Sequence, residues 1–575
     1  MTARRGARGR RALVKGTVVG LAAVLAATLA ACGDGERDQI DYLVDAGVSN
    51  YNVNTVDGYA SGAVMALARV QPGFSYLGPD GQVVADRDIG TVNVEDGASL
   101  TLRYTFAETA EYSDGRPMVC DDIVLAATAM GGKVRGFATA TTAGYRDIAS
   151  VDCTPGDKTA VVTFARGRDY AQWPALFGVG SMLPAHVVAR KAGVTDLVGV
   201  LGSRDQDAIG KIADAWNTGF ALAPGQEIDQ DEFVSAGPYR LSRYTPEEGL
   251  ELVANDAWGG DRPVTTHVTV WPRGTDADSA IGDGRVEVVD TSDLSTGDRV
   301  LGRATAEYNG QENRAGAKDP SPLSVTQLVP AARGVMNDLL VRRAFASCVP
   351  RDSLARRFGS NGLVWSLRTV APGDSLGGAL NEQYARRYPR ADIKRARDLL
   401  DERPAGENGR RPAVTVRLGY VGPDPVAQAV VAEIAGSCRA AGITVTDAAA
   451  PDLTPGALGR DVDVLLTNGA TGSAAAGTAS GFPDAYQLFG GDPLNLTGLR
   501  SPRASGAIAD LSLTQSDSAR LPLIRTAETA AWDALASIPL YGTVRSREHT
   551  GKVSQVVPGL ARTGTGWNMD RWVLN

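Results

Sequence analysis

Leu102-Arg103-Tyr104-Thr105-Phe106, followed by Tyr112-Ser113-Asp114-Gly115-Arg116-Pro117-Met118-Val119-Cys120-Asp121-Asp122-Ile123-Val124, is the stretch on which the reading of this chain turns. Leu100, Leu102, Tyr104 and Phe106 alternate with other residues, which predicts a half-buried strand over 99–106. A helix is predicted over 121–130, with Asp121 or Asp122 placed to cap its first-turn amides. The adjacent carboxylates read as helix-start charges, because neighbouring residues do not face one reacting centre.

The same alternation of strand and helix continues outward. A strand over 39–46 ends in the polar turn Asn50-Tyr51-Asn52-Val53-Asn54. A helix is expected over 60–69, a strand over 159–164, a hairpin from 239–244 and 249–254, and a strand over 264–271. A second half begins near Asn337 with a helix over 339–347. An amphipathic helix over 392–400 places Ile393, Ala396, Leu399 and Leu400 on one face. After the polar linker 403–411 come a strand (414–420), a helix (426–441), strands (443–445 and 462–466), a Gly/Ala/Ser/Thr-rich loop (467–481) and a long helix (519–536). Such a pattern over 575 residues predicts α/β lobes rather than one small core.

The N-terminus reads as an address. Arg4, Arg5, Arg8, Arg10, Arg11 and Lys15 precede an Ala/Leu/Val-rich run that is short for a membrane span, so residues 1–31 read as a secretory signal peptide. The run ends Leu29-Ala30-Ala31-Cys32, which resembles the bacterial lipobox. That resemblance implies cleavage before Cys32, acylation there and stable anchoring at the extracytoplasmic face of the cell membrane. Residues 32–38 form a polar tether. Without the leader the chain carries 52 basic against 66 acidic residues, a net charge of −14. That balance argues against nucleic acid as a partner, since phosphate contacts need basic surfaces.

Four further cysteines remain: Cys120, Cys153, Cys348 and Cys438. In an exported chain an even number suggests two disulfides, and four cysteines allow three pairings. Cys120 with Cys153 and Cys348 with Cys438 is the expected pairing, because each pair then stays inside one half. Buried free thiols are the alternative. No metal site is expected, as there is no CxxC and the three histidines are scattered. No P-loop, GxSxG or dinucleotide fingerprint occurs, so neither an enzyme nor a cofactor is expected. His186, in Met182-Leu183-Pro184-Ala185-His186, reads as a packing residue.

Several segments together resemble the bacterial extracellular solute-binding proteins of family 5, the receptors of peptide and nickel ABC importers. The opening stretch is similar to that family's S-D-G-x-P and A-D-D-V, with Cys120 in place of the alanine. Met182 to His186 is similar to I-L-P-x-H. Ser235-Ala236-Gly237-Pro238-Tyr239-Arg240-Leu241, then Leu252 to Gly260, resembles G-T-G-P-Y-x-L followed by L-x-x-N-x-x-Y-W. Asp338 to Arg351 resembles D-x-x-V-R-x-A-x-x-x-A-I-D-R. Ala441 to Val445 and Ala527 to Tyr541 complete an ordered set spanning most of the mature chain.

The resemblance implies an α/β, two-lobe periplasmic-binding-protein-like fold of the large class (type II), with the ligand cleft between the lobes. The first lobe would hold residues 36–315, with an extra subdomain near 70–170. The second would hold 316–537, and 538–575 would return to the first. It implies a lipid-anchored receptor that delivers an oligopeptide or other small solute to an ABC permease and its ATPase. A non-transport envelope accessory lipoprotein on the same fold is the alternative. Where peptide receptors anchor the peptide's amino group with a Trp and an Asp, this chain has Asn468 and Thr471. Asp484 or Asp424 would be the substitute carboxylate. Tyr51 and Asn52 in the first lobe, with Tyr420, Asn468, Thr471 and Asp484 in the second, are the expected substrate-binding residues.

Overall fold

Sheet order shows where the chain divides. In the computed structural model, which describes residues 38–302, 324–405, 410–467 and 485–575, two six-stranded sheets carry the fold. The first runs in the order Ser546–His549, Val286–Thr291, Gln39–Val44, His267–Trp271, Gly249–Ala254, Tyr239–Thr245. The second runs Gly359–Val364, Ile538–Thr543, Val325–Pro330, Val464–Thr467, Val414–Gly419, Ile443–Asp447. The chain leaves the first sheet after the helix Leu294–Val300 and joins the second at Val325; it returns between Thr543 and Ser546. Each sheet, with its helices, is called a lobe below.

Central strands are uniform in burial because both faces are covered. Val286–Thr291 and Val325–Pro330 are buried at every position. By contrast Thr101–Phe106 alternates, with Leu102, Tyr104 and Phe106 inside, as its sequence predicted. It belongs to an antiparallel four-stranded sheet, Gly90–Glu95, Thr101–Phe106, Thr159–Phe164, Ile148–Asp152, packed into the first lobe's core. The predicted hairpin pairs Tyr239 with Ala254 and Thr245 with Gly249. The helix Ile393–Asp401 is capped by Asp392 and sets Ile393, Leu399 and Leu400 on the second core, around buried Ala396.

One expected element is broken. In place of a helix over 60–69 there are two short ones, Val56–Ala60 and Ala63–Ala66. Gly62 interrupts them: a Cβ there would lie 2.5 Å from that of Ala46, and its amide donates to the Gly47 carbonyl at 2.7 Å. The glycine is required by this close approach to the end of the first strand.

Motifs distant in sequence lock together in the first lobe. Asp114 holds His186 Nε2 at 2.9 Å. Asp122 accepts from the Ala185 amide at 2.7 Å and the Val119 amide at 3.2 Å, joining the starts of two helices. The Ser113 amide donates to the Ser235 carbonyl at 2.7 Å, and the Ser235 amide donates back to Ser113 Oγ at 3.1 Å. Burial lowers the pKa of His186 against the pull of Asp114, which suits a neutral packing residue.

Both expected disulfides are present: Cys120–Cys153 and Cys348–Cys438, spanning 33 and 90 residues of chain. The second ties the helix Leu339–Cys348 to the helix Pro425–Arg439 within one lobe. Cross-links of this span restrict the unfolded chain and contribute about 2–4 kcal/mol. Replacing Cys348 and Cys438 together by alanine is expected to lower stability by that amount in urea unfolding, with the second lobe losing amide protection first. No helix among the described residues is long and apolar enough to cross a membrane.

Candidate functional site

The lobes face each other across a seam built from three strand ends and the loops after them. On the first lobe, the chain turns sharply after Gln39–Val44. Tyr51 and Asn52 build this turn from inside, being 1% and 0% exposed. Tyr51 Oη donates to the Val234 carbonyl at 2.6 Å, and its ring packs on Phe220 and Phe233. Burial raises the Tyr51 pKa well above its ordinary value. Asn52 Nδ2 donates to the Trp216 carbonyl at 2.8 Å, and its Oδ1 accepts from the Asn54 amide at 3.0 Å. Both side chains are thereby committed to shaping the turn. What the turn presents to the other lobe is the helix Val56–Ala60, capped by Thr55 Oγ1, with Tyr59 resting against the second lobe's core. The Arg562 guanidinium lies over the Tyr59 ring at 3.4 Å.

On the second lobe, Tyr420 follows the strand Val414–Gly419 and donates from Oη to Asp447 at 3.0 Å. Next come Val421 to Asp424, where Arg273 of the first lobe arrives. Its guanidinium donates to the Val421 carbonyl, and to the Pro423 carbonyl at 3.0 Å. It lies 3.7 Å from Asp424, and its Nε donates to the Asp45 carbonyl at 3.0 Å. Asp424 also accepts from the Ala427 amide at 2.9 Å as the N-cap of Pro425–Arg439. Burial raises its pKa, with Ala427 and Arg273 pulling the other way. This carboxylate is engaged in capping and in the seam.

A second flank closes the seam from the other side. Asp492 of the second lobe accepts from the Thr142 amide at 3.0 Å and the Thr142 hydroxyl at 2.7 Å. The Arg146 guanidinium lies 4.1 Å from the centre of the Phe489 ring. The Ala171 amide donates to the Ser512 carbonyl at 2.8 Å, and Gln515 Nε2 returns a bond to the Ala171 carbonyl at 2.8 Å. Arg168, bidentate on Asp147 at 3.0 and 3.1 Å, also reaches Ser512 Oγ at 3.4 Å. None of the residues on this flank was singled out by the sequence, since each stands alone without a motif around it.

Cys32, Asn468, Thr471 and Asp484 lie outside the described residues, as does the expected loop from 468 onward. The strand that leads to it ends at Thr467, buried beside Gln327. Among the described residues the one cluster of three metal-ligating types is Cys120, Asp121 and Cys153, whose sulfurs are joined to each other and so offer no thiolate.

A frame of two α/β lobes meeting along a seam matches known proteins in sequence and in shape. The model of the bacterial extracellular solute-binding proteins, family 5, matches residues 93–489. An uncharacterized lipoprotein of Mycobacterium tuberculosis, Rv2585c, is 39% identical over 564 residues, covering 97% of each chain. The oligopeptide-binding protein of Thermus thermophilus, solved with a pentapeptide, superposes with a TM-score of 0.69 at 16% identity, covering 93% of this chain and 96% of its own. NikZ of Campylobacter jejuni, solved with Ni(L-His), gives 0.63 at 14% identity, covering 94% and 100%. At these identities the two structures speak for the fold, while the family model and the mycobacterial relative speak for descent. The chain belongs to the bacterial extracellular solute-binding proteins of family 5.

Proposed function

We propose that this protein is a lipid-anchored extracytoplasmic receptor that encloses a peptide-like solute between its lobes and delivers it to an ABC permease and its ATPase. The observation that carries this reading is the two-flanked seam: Arg273 on Val421 and Pro423 on one side, Asp492 on Thr142 on the other. Two lobes linked by two crossovers and latched at both flanks are built to open and close about a hinge. Capture then means that solute binds the closed arrangement better than the open one. Membrane attachment through Cys32 is supported by the lipobox and by relatives named as lipoproteins.

A peptide-like solute fits better than a histidine-held metal. His186 is bonded to Asp114, His267 Nδ1 to Thr266, and His549 Nδ1 to the Thr550 carbonyl, all within the first lobe. Tyr420, Asn468, Thr471 and Asp484 are assigned to the solute on the second lobe, with Tyr51 and Asn52 holding the opposing turn. With Asp424 engaged, and with Asn468 and Thr471 at the amino-anchor positions, a solute without a free ammonium is the better match, because a buried cation needs a carboxylate.

Matched tetrapeptides with free and acetylated amino ends, titrated by thermal shift and calorimetry, test this. Saturable binding that survives acetylation is the expected result. Strict dependence on the free amino group, abolished by Asp484→Asn, would contradict the uncharged-solute assignment. No binding across the panel would favour the envelope accessory reading. Closure has its own test. Thr142→Val removes one hydroxyl donor to a buried carboxylate, a bond of about 1.5 kcal/mol or more. The variant is expected to shift the open-to-closed ratio roughly tenfold towards open, read as a longer interlobe distance by paired spin labels.

A further inference from the structure

The second lobe has a cavity of about 440 Å³ lined by none of the residues that meet across the seam. It lies at the Pro330 end of the strand Val325–Pro330, whereas the crossover strand pairs at the Val325 end. Its walls come from the helix Leu339–Cys348 through Arg342, from the turn at Thr497 to Arg500, and from the end of the helix Asp517–Ala534 at Leu535.

Two cations look into this space without an acid of their own. Arg342 Nη1 donates to the Met336 carbonyl at 3.1 Å, while its Nε is buried with no hydrogen-bond partner. The nearby carboxylate, Asp338, is already paired with Arg403 Nε at 3.1 Å and accepts from the Leu340 amide at 2.9 Å. Burial lowers the Arg342 pKa against the pull of Asp338, as expected for a cation that lacks a close counter-charge. Arg500 stands exposed on the opposite rim, with no ion pair among the described residues.

The rim is fixed in advance. Asn495 Oδ1 accepts from the Leu499 amide and the Thr497 hydroxyl, each at 3.0 Å, and Nδ2 donates to the Leu499 carbonyl at 2.7 Å. Gly498 takes a left-handed φ of 62° where a Cβ would lie 2.8 Å from that of Ala332, so the turn sits tightly on the end of the strand.

We propose that this cavity is a second binding site, distinct from the seam, for a small organic oxyanion held between the Arg342 and Arg500 guanidiniums with its apolar part on Leu499. Guanidinium forks match carboxylate and phosphate oxygens alike, and the volume exceeds what a bare inorganic ion fills. The site is independent of what the cleft binds.

Titration of the mature protein with inorganic phosphate and with hexanoate, at ionic strength matched by chloride, tests the assignment. Saturable binding of either probe is expected, with affinity at least tenfold weaker in Arg342→Gln and in Arg500→Gln. Tighter binding of hexanoate would assign a carboxylate ligand, and tighter binding of phosphate a phosphorylated one. Because Arg500 is exposed, its variant should fold normally and keep the test decisive if Arg342→Gln is unstable. Binding no better than that of chloride, or wild-type affinity in the Arg500 variant, would overturn the proposal.

Discussion

Glu528→Ala is expected to destabilise the second lobe by about 5 kcal/mol, near the upper end for breaking a buried pair. Arg368 and Glu528 are both fully buried and meet at 3.0 Å. Glu528 Oε1 also accepts from the Arg368 amide at 2.5 Å, the Thr369 amide at 2.8 Å and the Thr369 hydroxyl at 2.9 Å. Removal therefore strands a buried guanidinium and two backbone donors at once. Nearby, Arg351 is buried with no carboxylate on it among the described residues, donating instead to the carbonyls of Pro539 at 2.7 Å, Arg387 at 2.6 Å and Trp365 at 2.6 Å. Burial, helped by the charge of Arg368, lowers its pKa to about 9. Both guanidiniums flank the Trp532 ring, at 5.1 and 4.4 Å from its centre. Glu528 is thus the acid that balances a doubly cationic core. Glu528→Gln keeps an acceptor but drops the charge, and about 3 kcal/mol is expected for it. Hydrogen exchange is the measurement: amides of Ile538–Thr543 should lose protection while those of the Tyr239–Ala254 hairpin keep theirs. Equal loss in both lobes would contradict the assignment.

Arg545→Met is expected to cost about 4 kcal/mol at pH 7, and its cost should depend on pH. Arg545 lies in the return crossover, between Thr543 and Ser546. Its guanidinium reaches Asp290 Oδ1 at 2.8 Å, Asp45 Oδ1 at 3.0 Å and the Asp290 carbonyl at 2.9 Å. Burial alone would raise the Asp45 pKa, but Arg545 and the Ser292 hydroxyl and amide outweigh it and hold it below the usual carboxylate range. A depressed carboxylate stabilises the fold above its unfolded pKa of about 3.9, and that contribution is lost as pH falls through the folded value. In the variant Asp45 loses the cation that holds its pKa down, and its pKa rises. The deficit relative to wild type should then be largest near pH 7 and shrink as pH falls to about 4, where carboxylates begin to protonate. Urea unfolding at both pH values gives the answer, and a deficit independent of pH would exclude this mechanism. Asp45 also joins the return crossover to the seam, since its carbonyl accepts Arg273 Nε at 3.0 Å.

Much of the frame was legible because it rests on local chemistry. The alternation at 99–106, the Ser-Asp-Gly turn, the hairpin and the cysteine count are each readable within a few residues. Placed in space, the motifs are joints of the scaffold: Asp114 on His186, Asp122 on Ala185, Arg351 on Pro539. Apart from Tyr420 and Asp424, the seam was not legible for the opposite reason. Thr142 meets Asp492 across 350 residues, and Arg273 meets Pro423 across 150. A single threonine or arginine carries no periodicity that could announce such a contact. Tyr51 and Asn52 were found by their place after the first strand, but burial puts them behind the wall they support. The break at Gly62 went unread because it answers to Ala46, 16 positions away, rather than to helix propensity.

The most direct test of solute capture is mass spectrometry of the small molecules released when the exported protein, made without residues 1–32, is denatured. A mixture of short peptide-like solutes in near-stoichiometric amount is the result predicted. A folded protein that releases nothing, and shows no thermal shift with the peptide panel, would contradict the account.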